Sequence, residues 1–155
     1  SGVGILKISL EKDVRAYLIK LLSQREHSRK ELLSKLKTKD FFHDFDPTSL
    51  LDELIDQGYQ SDERYSTVFL RTRKNSGYGP NRIKNELQQR GVDPDIIVNT
   101  LKLSDINWQD HCRKVFESKF GEAADSNKEL AKQARFLYHR GFDISHIKET
   151  LGRLP

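Results

Sequence analysis

Three stretches of the chain carry one signature: Asp46, Leu50 and Leu54; Asp93, Ile97 and Leu101; Asp143, Ile147 and Leu151. In each, an Asp suited to cap a helix N-terminus is followed four and eight residues later by apolar side chains, which fall on one helical face. The spacings between them are 47 and 50 residues, and Gly91 and Gly141 stand as stops just before the later two caps. Leu36, Leu87 and Leu137 end the preceding helices, six residues before the cap in the later units and ten in the first. The first unit therefore carries a four-residue insertion, within Phe41-Phe42-His43-Asp44. Self-similarity at a period of about 40 to 50 residues marks tandem helical units, each too small to close its own core and so packed on a neighbour.

Helix start and stop signals fill in the rest. Helix one is expected near 11–24, with Val14, Tyr17, Leu18, Leu21 and Leu22 on one face. Ser28 opens the second through a Ser-x-x-Glu box with Glu31, and Asp46-Pro47 opens the third, which Gly58 ends. Ser61 starts a helix bearing Tyr65, Val68 and Phe69 and reaching Lys74; the turn Ser76-Gly77-Tyr78-Gly79 follows, and Pro80 restarts a helix stopped by Gly91. After the helix begun at Asp93-Pro94, the last unit has one helix near 105–120, one capped by Ser126 with Glu129, and one from Asp143. Every apolar run has helical period. The reading is all-helical: an N-terminal extension over 1–10, then three-helix units over 11–60, 61–103 and 104–155, in an elongated, curved array resembling helix-turn-helix scaffolds.

Composition agrees with an extended shape. Hydrophobic residues are 35% and charged residues 32% of the 155, so polar surface is large for the apolar material available. No apolar run approaches the roughly 20 residues that a membrane-spanning helix needs, so a soluble chain is expected. The single Cys112 excludes an intramolecular disulfide framework and a thiolate metal cluster and fits a reducing cytoplasm.

The net charge of +4 is concentrated in the middle third. Between 71 and 90, Arg71, Arg73, Lys74, Arg82, Lys84 and Arg90 face one acid, Glu86. Flanking the Gly77–Pro80 turn, Arg71, Arg73, Lys74, Arg82 and Lys84 are expected in one patch for an anionic partner, with Tyr78 at the turn's tip to stack on a base or fill a protein pocket. A solvated helix face is the alternative reading. Arg25, Arg29 and Lys30 form a second, smaller cluster under the same two readings. Arg64, in the first turn of its helix, is expected to pair with Asp46 or Asp62-type neighbours and tie unit one to unit two, with a partner contact as the alternative reading. The Gly-Tyr-Gly-Pro turn is no phosphate loop, since no strand precedes it, no Gly-Lys-Ser/Thr follows, and Pro80 lacks an amide proton; it is expected as a tight turn that packs two helices closely. The five histidines show no pairing at ligand spacing with a carboxylate, and nothing marks a nucleophile, base and orienting acid. No cofactor, metal or catalytic role is expected. Trp108 and Phe116 are expected in the core of unit three.

Several of these stretches resemble, in order and spacing, the signatures of the RecX family. They are Arg25-Glu26-His27-Ser28-Arg29-Lys30-Glu31-Leu32, Gln60-Ser61-Asp62-Glu63-Arg64-Tyr65, Gly77-Tyr78-Gly79-Pro80-Asn81-Arg82-Ile83 with Glu86-Leu87 and Gly91, and Arg140-Gly141-Phe142. The resemblance covers most of the chain from about residue 15, and departs at Ser66, where the family more often has Ala. It implies a bacterial cytoplasmic regulator, acting as a monomer in recombination, DNA repair and the SOS response. Such a protein lies in the groove of the RecA–DNA filament, reduces ATP hydrolysis, strand exchange and co-protease activity, and itself binds single- and double-stranded DNA. Two alternatives stand beside it: a helix-turn-helix protein acting on DNA alone, and a helical adaptor with another partner. Against the pure DNA reader, no unit has a recognition helix rich in Arg, Asn and Gln at its N-terminus, and no dimerising segment is evident.

Overall fold

The computed structural model describes residues 2–39 and 45–155 and is helical throughout, with nine helices among these residues. They are α1 (Gly2–Gln24), α2 (Arg29–Lys37), α3 (Thr48–Asp56), α4 (Asp62–Asn75), α5 (Pro80–Gln89), α6 (Pro94–Ser104), α7 (Trp108–Phe120), α8 (Asn127–Arg140) and α9 (Ile144–Leu151). The expected insertion at 41–44 lies outside the described residues.

The caps explain most boundaries. Ser28, Ser61 and Ser126 have extended backbone, and each hydroxyl accepts from the amide three residues on. The Asp caps behave differently. Asp93 and Asp143 hold the cap position, but neither side chain bonds the helix it starts. Asp46 stands one residue further out: α3 begins at Thr48, whose amide and hydroxyl donate to the Asp46 carboxylate at 3.0 and 2.7 Å. Two further boundaries depart from the sequence reading. Helix α1 begins at Gly2 and not near residue 11. Helix α7 begins at Trp108 and not near 105, because Asp105 sits in the left-handed region as the end of α6 and Asn107 caps α7.

Each triplet of helices closes its own small core. Val14, Leu18, Leu32, Leu36, Leu50, Leu51 and Leu54 form the first. Tyr65, Leu70, Ile83, Leu87, Val92 and Ile97 form the second. Cys112, Phe116, Leu130, Leu137, Phe142, Ile147 and Leu151 form the third. Of the six apolar signature positions, Leu50, Leu54, Ile97, Ile147 and Leu151 are buried and Leu101 is half-buried. Full burial of such a side chain stabilises by about 1.5–3 kcal/mol, so each unit holds only a modest core. Trp108, expected inside unit three, packs partly against the cores of units two and three and bridges them. A compact globule of 18.0 kDa exposes roughly 8,000 Å². This chain exposes 9773 Å², the excess expected of units arrayed in a row.

Candidate functional site

The Gly77–Pro80 turn docks unit two on unit three. The Gly79 amide donates to the Arg140 carbonyl at 2.7 Å, and the Asn81 amide to the Gly141 carbonyl at 2.9 Å. A Cβ on Gly79 would stand 2.5 Å from the Gly141 carbonyl carbon, so the two backbones meet only because position 79 has no side chain. Tyr78 lies half-buried beside this contact, with the guanidinium groups of Arg73, Arg82 and Arg140 at 4.0, 4.4 and 4.7 Å from its ring centre. Glu86 accepts from Arg73 at 2.7 Å and from Arg82 at 3.1 Å. Burial disfavours charge on Glu86, but these bonds outweigh it and hold the carboxyl below its ordinary range. Arg82 also donates to the His139 carbonyl, and Arg140 to that of Ser76. The Asp143 carboxylate, free of its expected capping duty, accepts from Asn81 Nδ2 at 2.6 Å.

Units one and two meet by the same rule. The Ser28 hydroxyl donates to the Arg90 carbonyl at 2.9 Å, and Lys30 Nζ to that of Gln89 at 3.1 Å. In both junctions the N-terminus of one unit's second helix meets the C-terminus of the next unit's second helix, positive end to negative end. Arg25 pairs with Glu31 at 2.9 Å, and Arg29 places its amide on Asp62 and its side chain 3.8 Å from Asp52. Arg64 does tie the two units, but through Glu26 at 3.0 Å and the carbonyls of Gly58 and Tyr59, not through Asp46 or Asp62.

Of the nine expected contact residues, Arg73, Arg82 and Tyr78 lie at one junction and Arg29 and Lys30 at the other, while Arg25 pairs with Glu31 inside unit one. The side chains of Arg25 and Arg82 keep 55% and 43% of their surface exposed. Arg71 and Arg73 are two residues apart on α4, about 200° around it, and so face opposite ways. Lys84 is exposed on α5, away from both. Arg71 and Lys74 line a cleft of about 360 Å³ between α4 and α6 with Thr67, Asn75, Thr100 and Ser104. Lys74 and Asn75 also line a second cleft of about 460 Å³, shared with Lys114, Lys119 and Arg140 from α7 and α8. The two clefts adjoin at Lys74 and Asn75, and this basic trough is lined by five cations and, among the described residues, no carboxylate. Asp110 touches the trough's edge through Lys114, at 3.0 Å. Lys114, Lys119 and Arg140 lie in unit three, far along the chain from the basic run, and the sequence offered no signal joining them to it. His111, in the same wall, donates from Nε2 to the Tyr78 carbonyl at 3.3 Å. Burial, with Lys74 adding to it, pushes its pKa down.

Among the described residues no three His, Cys, Asp or Glu side chains are placed to hold a metal. Cys112 is buried in the unit-three core, where burial pushes its thiol pKa up while the Thr150 hydroxyl donates to its sulfur at 3.4 Å. No helix among the described residues is long and apolar enough to cross a membrane.

A row of three-helix units with a basic trough defines a helical-repeat binding protein, whose function lies on its surfaces. Residues 61–101 match the family model for the second three-helix domain of RecX, and residues 105–151 the model for the third. A regulatory protein RecX of Legionella pneumophila strain Corby is 42% identical over 133 residues, covering 85% of this chain and 88% of that protein. The regulatory protein RecX of Pseudomonas entomophila is 39% identical over 142 residues, 91% and 88% of the two chains. The chain belongs to the RecX family. Crystal structures agree on the fold: a RecX from Lactobacillus salivarius superposes with a TM-score of 0.77 at 22% identity, over 94% of this chain and 96% of that one. A second regulatory protein RecX gives 0.79 at 20% identity, over 97% and 76%. The chain is thus a regulatory protein and not an enzyme, as its relatives are named.

Proposed function

We infer that the chain binds the RecA–DNA filament as a cytoplasmic monomer, lies along its groove, and lowers RecA's ATPase, strand-exchange and co-protease activities. The observation that carries the reading is the carboxylate-free trough. Arg71, Lys74, Lys114, Lys119 and Arg140 run across units two and three, and a row of cations on an extended array suits the phosphate backbone of single- or double-stranded DNA inside the filament. Lys74, Lys119 and Arg140 stand in the last turns of α4, α7 and α8, where they also offset helix dipoles, whereas Arg71 and Lys114 lie outside any last turn. The DNA-alone reading keeps the trough and drops RecA.

The test is Arg71→Glu with Lys74→Glu. Arg71 is exposed and neither side chain makes an ion pair among the described residues, so the fold is retained. Affinity for the RecA–single-stranded DNA filament and for bare DNA is expected to fall at least tenfold, with a flatter salt dependence, whereas Lys84→Glu changes either by less than about threefold. Unchanged binding by a folded double variant removes the trough from the DNA contact. If only bare-DNA binding falls and added RecA alters nothing in the wild type, the DNA-alone reading replaces this one.

A further inference from the structure

The repeats supply an internal control for surface chemistry. With Leu87 set on Leu137 and Ile97 on Ile147, unit two carries Lys84, Gln88 and Pro94 on the outer side of its second and third helices, and Asn81 at its junction with unit three. Unit three carries Ala131, Ala134, Tyr138 and Ile144 at the same places. At two of these positions the fold does not need an apolar residue, since unit two carries exposed Lys84 and Gln88 where unit three carries Ala134 and Tyr138. In unit three they line a groove of about 390 Å³ between α8 and α9, closed on one side by Leu154. Tyr138 is 60% exposed, Ile144 59% and Leu154 41%, so much apolar surface faces water in one place.

The charges around the groove say what kind of partner fits. Its lining includes Pro155 beside Leu154, and the one charged side chain in it is the cation Arg135. Lys128 and Arg135 share the α8 face of Ala131 at spacings of three and four, and Lys148 stands one turn beyond Ile144 on α9. The neighbouring acid Glu129 is engaged by Lys132 at 3.3 Å. A second copy of this chain would bring like charges together across such a groove. An apolar anchor flanked by Asp or Glu would bury Tyr138 and Ile144 and meet the cations at the rim.

We propose that the α8–α9 groove is a protein-docking site, separate from the basic trough, which takes an apolar side chain flanked by carboxylates on the surface of the filament protein. This rests on the filament reading given above. The test moves unit two's own residues into unit three: Tyr138→Gln with Ile144→Pro. Both positions are exposed, and Asp143 already has the extended backbone that a following proline requires. Wild type and variant are titrated onto RecA filaments on oligo-dT and onto bare oligo-dT, with thermal midpoint and sedimentation recorded for each. The expected result is a filament affinity reduced at least tenfold, with bare-DNA affinity and monomeric sedimentation unchanged. Undiminished filament binding by a folded variant overturns the groove and leaves the filament reading standing. A wild type that sediments as a dimer, made monomeric by the substitutions, assigns the groove to a second copy and also overturns it. A wild type that ignores RecA filaments refutes the filament reading, and the docking proposal with it.

Discussion

Ser66 lies in α4 with its side chain enclosed, and its hydroxyl has no hydrogen-bond partner among the described residues. A buried hydroxyl left unbonded costs about 1–3 kcal/mol, and the RecX pattern that this chain resembles more often has Ala there. Ser66→Ala is therefore expected to raise stability by about 1 kcal/mol and the thermal midpoint by about 2–4 °C. A lower midpoint in a melting experiment would mean that the hydroxyl finds a partner. Single residues were the least legible level of the sequence. Arg64 was readable as a tie between two units, but its acceptors on Glu26, Gly58 and Tyr59 are set by where the chain returns. Asp143 had the sequence context of a cap and is used instead by Asn81, 62 residues away. The opposed directions of Arg71 and Arg73 were implicit in helical geometry, since two residues turn a helix by about 200°.

At the scale of helices and their junctions, Ser28, Ser61 and Ser126 were legible because capping is local. The junctions were legible only in part: the Gly77–Pro80 turn reads as a place where helices pack closely, but Gly141, which reads as a helix stop, carries no mark of being its partner. Gly79→Ala places a methyl 2.5 Å from the Gly141 carbonyl carbon and must separate units two and three. Denaturant unfolding should show a loss on the order of 3 kcal/mol. Gly58→Ala, with positive φ but nothing within 4 Å, should lose only about 1–2 kcal/mol. Equal losses at the two positions would deny the close approach its role.

Each junction also encloses a histidine. His27 is buried beside Ser28, and burial pushes its pKa below 6.5, as it does for His111. In the window just under pH 6.5 the unfolded chain binds protons that the folded chain refuses. The stabilisation from neutral imidazole is thus complete above pH 6.5 and lost as pH falls toward the folded values. Unfolding free energy should decline between pH 7 and 5, before the carboxylates titrate, and decline less in His111→Gln. An identical pH profile for wild type and variant would exclude His111 as a contributor.

Across the whole molecule, the array could be read from the chain because the Asp-x3-apolar-x3-apolar signature and its glycine stops recur at nearly constant spacing. The trough could not, because Lys114, Lys119 and Arg140 join Arg71 and Lys74 only once unit three is docked on unit two. The same docking consumes Arg73, Arg82 and Tyr78, which looked in the sequence like the centre of the basic patch. Both outcomes follow from one architectural fact: units this small spend charged and aromatic side chains on one another, and Arg140, which bonds the Ser76 carbonyl, serves the junction and the trough together. The central claim is that this surface engages the RecA filament and restrains it. Its most direct test is a titration of the purified chain into RecA hydrolysing ATP on single-stranded DNA. The account predicts that the rate falls progressively and is strongly suppressed at or below one chain per RecA protomer, with no hydrolysis by the chain itself. A rate that stays constant up to a severalfold excess of folded protein would contradict it.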